Sequence, residues 1–494
     1  MKDRLAPDER IRSEVYSPKR VEAMDGSLRA TMGDSKFIVV IHTRPMLPLQ
    51  RAESWRSQTR IIEIVSVGSG SGVVSMDTDS GSTPDLPFTP ESLATVEHLV
   101  GELGDERLTI IAPYIKYAPS SWDRLIHGLE DSHNVTLVAV NPKHLELIEG
   151  KRFFGSIMRE AGVAISQTLE FTGFKEFENA GGWGLVMRTF GSQFVVQVND
   201  SAGGSGTRLV GLDHSVEDAE EMVRHTADGW FKVTTFHHGY ETNGAAVVLP
   251  DGRVYIDPLS RKPVSESIRE VFGGKKAGAI GDDWSFPWSG SVQLSYIDVM
   301  VRTGGYLHNK FGYVGIFGVD SIVNDKVEPH EINARPQGTT RHHHMRAQIL
   351  GRPSTWYLHT LALAGCKDFS WLPDQAIWNT VVASETGGWQ VDIVPRTGEL
   401  GKIIGRNANG RYKLNDQGLT QRDDGDIWIV APGSGQLFDW SNKEGRKRLT
   451  SHGQIYYVND SSVQLPNIFD IQRQEATPFG RKFATDIREL IDLQ

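Results

Sequence analysis

The stretch that most constrains this chain is residues 311–340, FGYVGIFGVDSIVNDKVEPHEINARPQGTT. Two alternating runs flank the polar triplet Asn324, Asp325 and Lys326, the pattern of a β-hairpin. With the turn centred between Asp325 and Lys326, Asp320 lies directly opposite Glu331, and the strand period of two brings Asn333 onto the same face. Two carboxylates facing each other across a ladder repel, so the arrangement is unfavourable without a cation between them. Oxygen donors from Asp, Glu and Asn, without Cys or His, suit a hard ion that keeps waters and phosphate oxygens in its shell, which points to Mg²⁺. Arg335, two residues beyond Asn333, adds a planar donor fork suited to phosphate on that side. A plain surface hairpin is the ordinary alternative for an Asp/Glu pair, and the apolar flanks argue against it here. Pro329 signals an edge or a bulge, and a bulge would shift the register.

EINARPQG, with an Asp eleven residues upstream of its Glu, resembles the metal-binding end of the ATP-grasp carboxylate–amine ligases, which commonly carry Glu-x-Asn there. The resemblance is specific in this segment and covers residues 151–340 more loosely. Within the superfamily the layout is most similar to the pheganomycin-type peptide ligases. It implies an α/β (α+β) protein with an ATP-grasp domain at residues 149–350, an N-terminal α/β pre-ATP-grasp domain at 1–148 and a β-rich C-terminal domain at 351–494. Asp320, Glu331 and Asn333 would then hold Mg²⁺, Arg335 would offset charge on a transferred phosphoryl group, and the Gly338 N–H would face the developing oxyanion.

The nucleotide site follows residue by residue. Lys151 heads an amphipathic helix, KRFFGSIMREAG, where a lysine opposes the helix dipole unless an anion is near. A solvated surface lysine is an equal reading of that pattern, but the resemblance implies a phosphate contact. Strands at 192–198 and 207–211 enclose the glycine-rich connection NDSAGGSG, whose N–H groups can wrap phosphate oxygens. The resemblance makes this the flap over the triphosphate, with Ser201, Gly203, Gly204, Ser205 and Gly206 as contacts. The strand before the flap usually carries a nucleotide-binding lysine in that family. Here the position holds Gln197, and Arg208 is a candidate to supply the charge. Further implied contacts are the backbone of Thr235 and Phe236 for the base, Glu241 for the ribose, and either Arg261 or Lys262 for the γ-phosphate.

At 494 residues the chain is too long for one ordinary core and is expected to form two to four domains. Residues 37–43, 61–67, 108–113 and 135–140 are apolar runs of strand character. Residues 91–104 and 121–131 carry helical spacing, so a mostly parallel N-terminal sheet is expected. Gly68, Gly70 and Gly72 follow a strand, but the Ser/Asp/Pro-rich sequence behind them makes a loop the better reading than a dinucleotide fingerprint. Beyond residue 353 the pattern predicts a helix at 356–364, strands at WNTVVAS, WQVDIV, RYKL and DIWIVA, and a closing helix at 480–493.

Several classes are disfavoured. A single cysteine, Cys366, leaves no internal disulfide framework and no multi-cysteine zinc site. A net charge of −10 without a basic run interleaved with aromatics argues against nucleic acid. No apolar run reaches membrane-span length and the first residues lack a signal-peptide core, so a cytoplasmic location and no membrane partner are expected. His342, His343 and His344 diverge on any regular element, which favours acceptor-site or packing roles over one shared metal. The expectation is an ATP- and Mg²⁺-dependent ligase joining a small-molecule carboxylate, activated as acyl phosphate, to an amine such as an amino acid or peptide; a homodimer is compatible with it. Alternatives are acylation of a carrier protein, a phosphotransferase, or a non-catalytic ATP-binding protein.

Overall fold

The computed structural model describes residues 6–32, 35–42, 60–65, 106–111, 134–199, 206–226, 229–272, 280–392, 410–415, 418–421, 427–430, 454–457, 468–470, 473 and 475–490. The expected glycine loop at 68–72, the helices at 91–104 and 121–131, and flap residues Ser201, Gly203, Gly204 and Ser205 lie outside them.

β1 (Ser35–His42), β2 (Arg60–Val65), β3 (Arg107–Ile111) and β4 (Val135–Val138) pair in the order β2-β1-β3-β4, every neighbour parallel, as the apolar runs predict. Ahead of them the helix Pro18–Met32 buries Val21, Met24, Leu28 and Met32, a helical spacing of three and four.

A second, antiparallel sheet joins β5 (Thr168–Phe171), β6 (Phe194–Val198), β7 (Thr207–Val210) and β8 (Phe231–Thr235) in the order β5-β8-β6-β7. It has its own core of Phe171, Phe177, Val186, Phe194, Val196, Phe231 and Val233. The helix Val216–Arg224 against it starts with a capping box, Ser215 and Asp218 each bonding the other's backbone N–H.

The largest sheet begins with β9 (Tyr240–Val248), β10 (Val254–Ile256), β11 (Ser260–Arg261), β12 (Gly281–Asp283), β13 (Gly315–Val323) and β14 (Val327–Asn333). It continues through β15 (Trp389–Asp392), β16 (Gly410–Asn415), β17 (Gly418–Gln421), β18 (Ile427–Val430) and β19 (Gln454–Tyr457). Its order is β14-β13-β9-β11-β12-β15-β19-β18-β16-β17, with β10 beside β9. Thus the segments WQVDIV, RYKL and DIWIVA, expected as strands beyond residue 353, extend this sheet from β12 through β15. The helix Gly290–Phe311 packs on it through Tyr296, whose hydroxyl donates to the Asp257 carbonyl at 2.7 Å. No helix among the described residues is long and apolar enough to cross a membrane.

The central hairpin reaches the expected pairing by an unexpected route. Val323 pairs with Val327, so the turn centres on Asp325 itself. The register then shifts between Ser321↔Pro329 and Asp320↔Glu331, leaving His330 as the extra residue of a bulge. The two one-residue offsets cancel. Pro329, which has no N–H to give the ladder, sits at the point of the shift.

WNTVVAS, expected as a strand, is instead part of the helix Gln375–Ala383. Asp374 caps it, its side chain accepting from Ala376 N at 2.8 Å and Ile377 N at 3.4 Å. Trp378, Val381 and Val382, at positions i, i+3 and i+4, form the buried face. Capping and burial here override the strand preference of the β-branched residues. Asp374→Ala should lower unfolding free energy by about 1 kcal/mol in urea denaturation, the usual loss of an N-cap.

Candidate functional site

Strand register builds one polar face across four neighbouring strands. On β9, Glu241 and Asn243 share a face; Asn243 pairs with Asp320 of β13, and Asp320 pairs with Glu331 of β14. Asn333 lies opposite Gly318, two residues along from each acid. On the other side of β9, Ser260 pairs with Asn243, and its hydroxyl donates to Asp282 Oδ1 at 2.6 Å.

Asp320 is the hub. Its Oδ1 meets the Lys262 ammonium at 2.9 Å and accepts from Asn243 Nδ2 at 2.6 Å, while Oδ2 accepts from Asn333 Nδ2 at 3.4 Å. Burial alone would raise its carboxyl, yet Lys262, His330 and the Asn243 amide hold it below the usual range. Lys262 is held above its ordinary range, since Asp320, Glu241 and Asp282 outweigh its own desolvation. Asn243 Nδ2 also donates to Gln337 Oε1, and its Oδ1 accepts from Thr339 at 3.1 Å. The Gln337 amide lies over Gly318, where a Cβ would come 1.2 Å from Nε2, so a side chain at 318 would displace that amide.

The residue types fit a hard divalent cation. Asp320, Glu331 and Asn333 share one face, and the groups now turned onto Asp320 are all donors or cationic: one ammonium and two amides. Among the described residues no group of three or more His, Cys, Asp or Glu could hold a metal, so such an ion would use the two carboxylates, the Asn333 amide oxygen and non-protein oxygens. Arg335 braces this edge, donating to Asn333 Oδ1 at 2.9 Å and pairing with Glu149 at 2.9 Å. Glu149 ends the helix Pro142–Glu149, and Lys151 starts the next one, Lys151–Glu160, with only 6% of its surface exposed.

Of the two basic candidates beyond β10, Lys262 joins the carboxylate face. Arg261, one residue earlier, points to the opposite face, pairs with Asp283 at 3.2 Å and lies over the adjoining Tyr240 and Phe286 rings. Thr235 closes β8, its N–H bonded to Gln167 O at 3.2 Å. Phe236 packs edge-on against His238 in the short link to β9. This link joins the second sheet to the largest one. Gln197 is buried and donates to Thr207 Oγ1 at 3.3 Å. Arg208 pairs one residue away, with Val196, so it projects from the other face and does not stand in for a charge at Gln197. Gly206 is buried at the start of β7, and Gly338 is exposed in the loop leading to the helix Thr340–Leu350.

The histidines disperse, as consecutive positions must. His342 stacks on Trp284 at 3.8 Å, His343 meets Asp257 at 3.2 Å, and His344 bonds Ser354 at 2.8 Å. Sequence reading missed Asn243, Asp282, Gln337 and Lys232. Only Asn243 left a trace, two residues from Glu241 on one strand.

No family model matches the chain, and no curated protein resembles it in sequence. Solved structures do match in fold. An N5-carboxyaminoimidazole ribonucleotide synthetase in its ADP complex superimposes with a TM-score of 0.56 at 11% identity, covering 93% of this chain and 98% of its own. An N5-carboxyaminoimidazole synthetase from Staphylococcus aureus, also with ADP, gives 0.53 at 11%, covering 86% and 94%. Biotin carboxylase from Campylobacter jejuni, in its β,γ-ATP complex, gives 0.51 at 11%, covering 89% and 85%. The chain has the ATP-grasp fold, of mixed helix and sheet.

Asp282 supplies a pH test of this face. Burial pushes its carboxyl up to about 6, against the pull of Lys262 and the Ser260 hydroxyl. A carboxyl raised in the folded state contributes stability below its unfolded value, near 4, and loses it as pH rises through about 6. Asp282→Asn should therefore gain about 3 kcal/mol relative to the parent between pH 4 and pH 8, read from urea unfolding at both.

Proposed function

We propose that this chain is an ATP- and Mg²⁺-dependent, ADP-forming ligase that activates a small carboxylate as acyl phosphate and transfers the acyl group to an amine. The observation that carries this reading is the alignment of Asp320, Glu331, Asn333 and Lys262 on one sheet face, on an ATP-grasp fold. Mg²⁺ held by Asp320, Glu331 and Asn333 supplies charge neutralisation of phosphate oxygens.

The chain's own groups do the rest. Lys151, the flap at 199–206 and Lys262 bind phosphate; the Thr235 and Phe236 backbone and Glu241 hold the nucleoside. A carboxylate oxygen attacks the γ-phosphorus and the bond to the bridging oxygen of ADP breaks. Arg335, kept in place by Glu149 and Asn333, presents its fork to the transferred phosphoryl. The amine nitrogen then attacks the acyl carbon, phosphate leaves and takes up the amine proton, and the Gly338 N–H supports the oxyanion. Water must be excluded meanwhile, which is the work of the flap. An amino acid or peptide as the amine, giving a peptide product, rests on the similarity of the overall layout to the pheganomycin-type peptide ligases.

A second reading has its own observation. The fold neighbours include carboxylating enzymes, among them a biotin carboxylase domain solved with MgADP and bicarbonate. On this reading the activated carboxylate is bicarbonate.

ADP release from Mg²⁺-ATP, with hydroxylamine to trap acyl phosphate, tests both across a panel of amino acids, small carboxylic acids and bicarbonate. Acid-dependent ADP and hydroxamate, reduced at least about 100-fold in Glu331→Ala, is the expected result. ADP release that depends on bicarbonate alone selects the second reading, and release of AMP with pyrophosphate rejects both.

A further inference from the structure

The absence of a lysine at position 197 leaves the strand before the flap without a cation, and the antiparallel register supplies one from the next strand. Gln197 of β6 lies directly opposite Lys232 of β8, and Lys232 lies directly opposite Glu170 of β5. Cross-strand partners project from the same face, with Cβ atoms about 5 Å apart, so the Lys232 side chain starts next to that of Gln197. The helix Lys151–Glu160 covers this row: the Lys232 ammonium lies 4.8 Å from the Phe154 ring, and Glu170 reaches Gly155. From β14 the His330 carbonyl accepts from Lys232 Nζ at 3.3 Å, one residue before Glu331.

Resting on the ligase reading, we infer that Lys232 is a phosphate-binding residue for the nucleoside triphosphate, taking over from the neighbouring strand the place that Gln197 leaves neutral. Two further observations support it. Lys232 has 2% of its surface exposed, and among the described residues its ammonium has one hydrogen-bond acceptor, where it could serve three. Lys151, itself buried, adds repulsion. Desolvation first, then Lys151, bring Lys232 down to about 8, against the pull of Glu331 and Glu170. Two buried ammonium groups in one region repel each other, and an added polyanion between them would offset that repulsion.

The test compares ATP, ADP and adenosine binding by calorimetry in the full-length protein. Lys232→Met should weaken ATP and ADP by about 10- to 100-fold, the scale of one charged hydrogen bond, while adenosine changes less than about threefold. Adding Gln197→Lys to Lys232→Met should recover most of the loss. Unchanged ATP affinity in a folded Lys232→Met protein overturns the inference. So does equal weakening of adenosine with no recovery from Gln197→Lys, which marks a purely structural lysine. Should Lys232→Met fail to fold, the exchange variant Lys232→Gln with Gln197→Lys decides: ATP affinity within about threefold of the parent supports the inference, and a larger loss in the folded protein overturns it. Parent protein that binds no nucleotide overturns the ligase reading as well, whereas parent binding with an indifferent Lys232→Met overturns only this assignment.

Discussion

Two carboxylates held face to face across one strand pair are the constraint around which this protein is arranged. Unit charges about 5 Å apart repel by roughly 3 kcal/mol at an effective dielectric near 20, and partial burial deepens the penalty. The backbones at Asp320 and Glu331 are held together by the β13–β14 ladder, and nine consecutive residue pairs with β9 fix β13 in turn. The repulsion is offset chemically instead. Lys262 reaches over from beside β11, Asn243 and Asn333 turn amide donors onto Asp320, and Arg335 anchors the Asn333 oxygen. The whole face is a set of groups waiting for positive charge or already supplying it.

A further cation, Lys232, comes from a different sheet of the fold. Lys232 and Gln197 belong to the second sheet, and the acids to the largest one; residues 236–239 are the covalent link between β8 and β9. Lys232 crosses that division by bonding the His330 carbonyl in the hairpin bulge. The bulge therefore has two effects: it restores the pairing of Asp320 with Glu331, and it places the extra residue, His330, where its carbonyl meets the second sheet. Lys232 of the second sheet is thereby brought to the strand that carries Glu331, and the two sheets meet at the bulge.

Much of this was legible along the chain, for identifiable reasons. The parallel sheet followed from four apolar runs, and the flap strands from the glycine-rich gap between them. The hairpin pairing of Asp320 with Glu331 was read correctly although the turn centres on Asp325 and a bulge at His330 intervenes, because the two offsets in register cancel. WNTVVAS was misread because β-branched residues favour strands in isolation, while Asp374 at the N-cap and the burial of Trp378, Val381 and Val382 favour a helix in place. Lys262 could not be chosen over Arg261 until the strand face was known.

By itself the sequence determined the local chemistry: an oxygen-donor triad at strand spacing, a phosphate-suited arginine beyond it, a lysine at a helix start and a glycine-rich turn. These are properties of residue type and period, which neighbours in the chain specify. Tertiary structure alone decided which groups meet across strands distant in sequence. Asn243 to Asp320, Ser260 to Asp282, and Gln197 to Lys232 are pairings set by sheet order and register, and no periodicity along one strand encodes its partner. A side chain's face is written locally, whereas what stands opposite it is fixed only when the hydrogen-bond ladder closes.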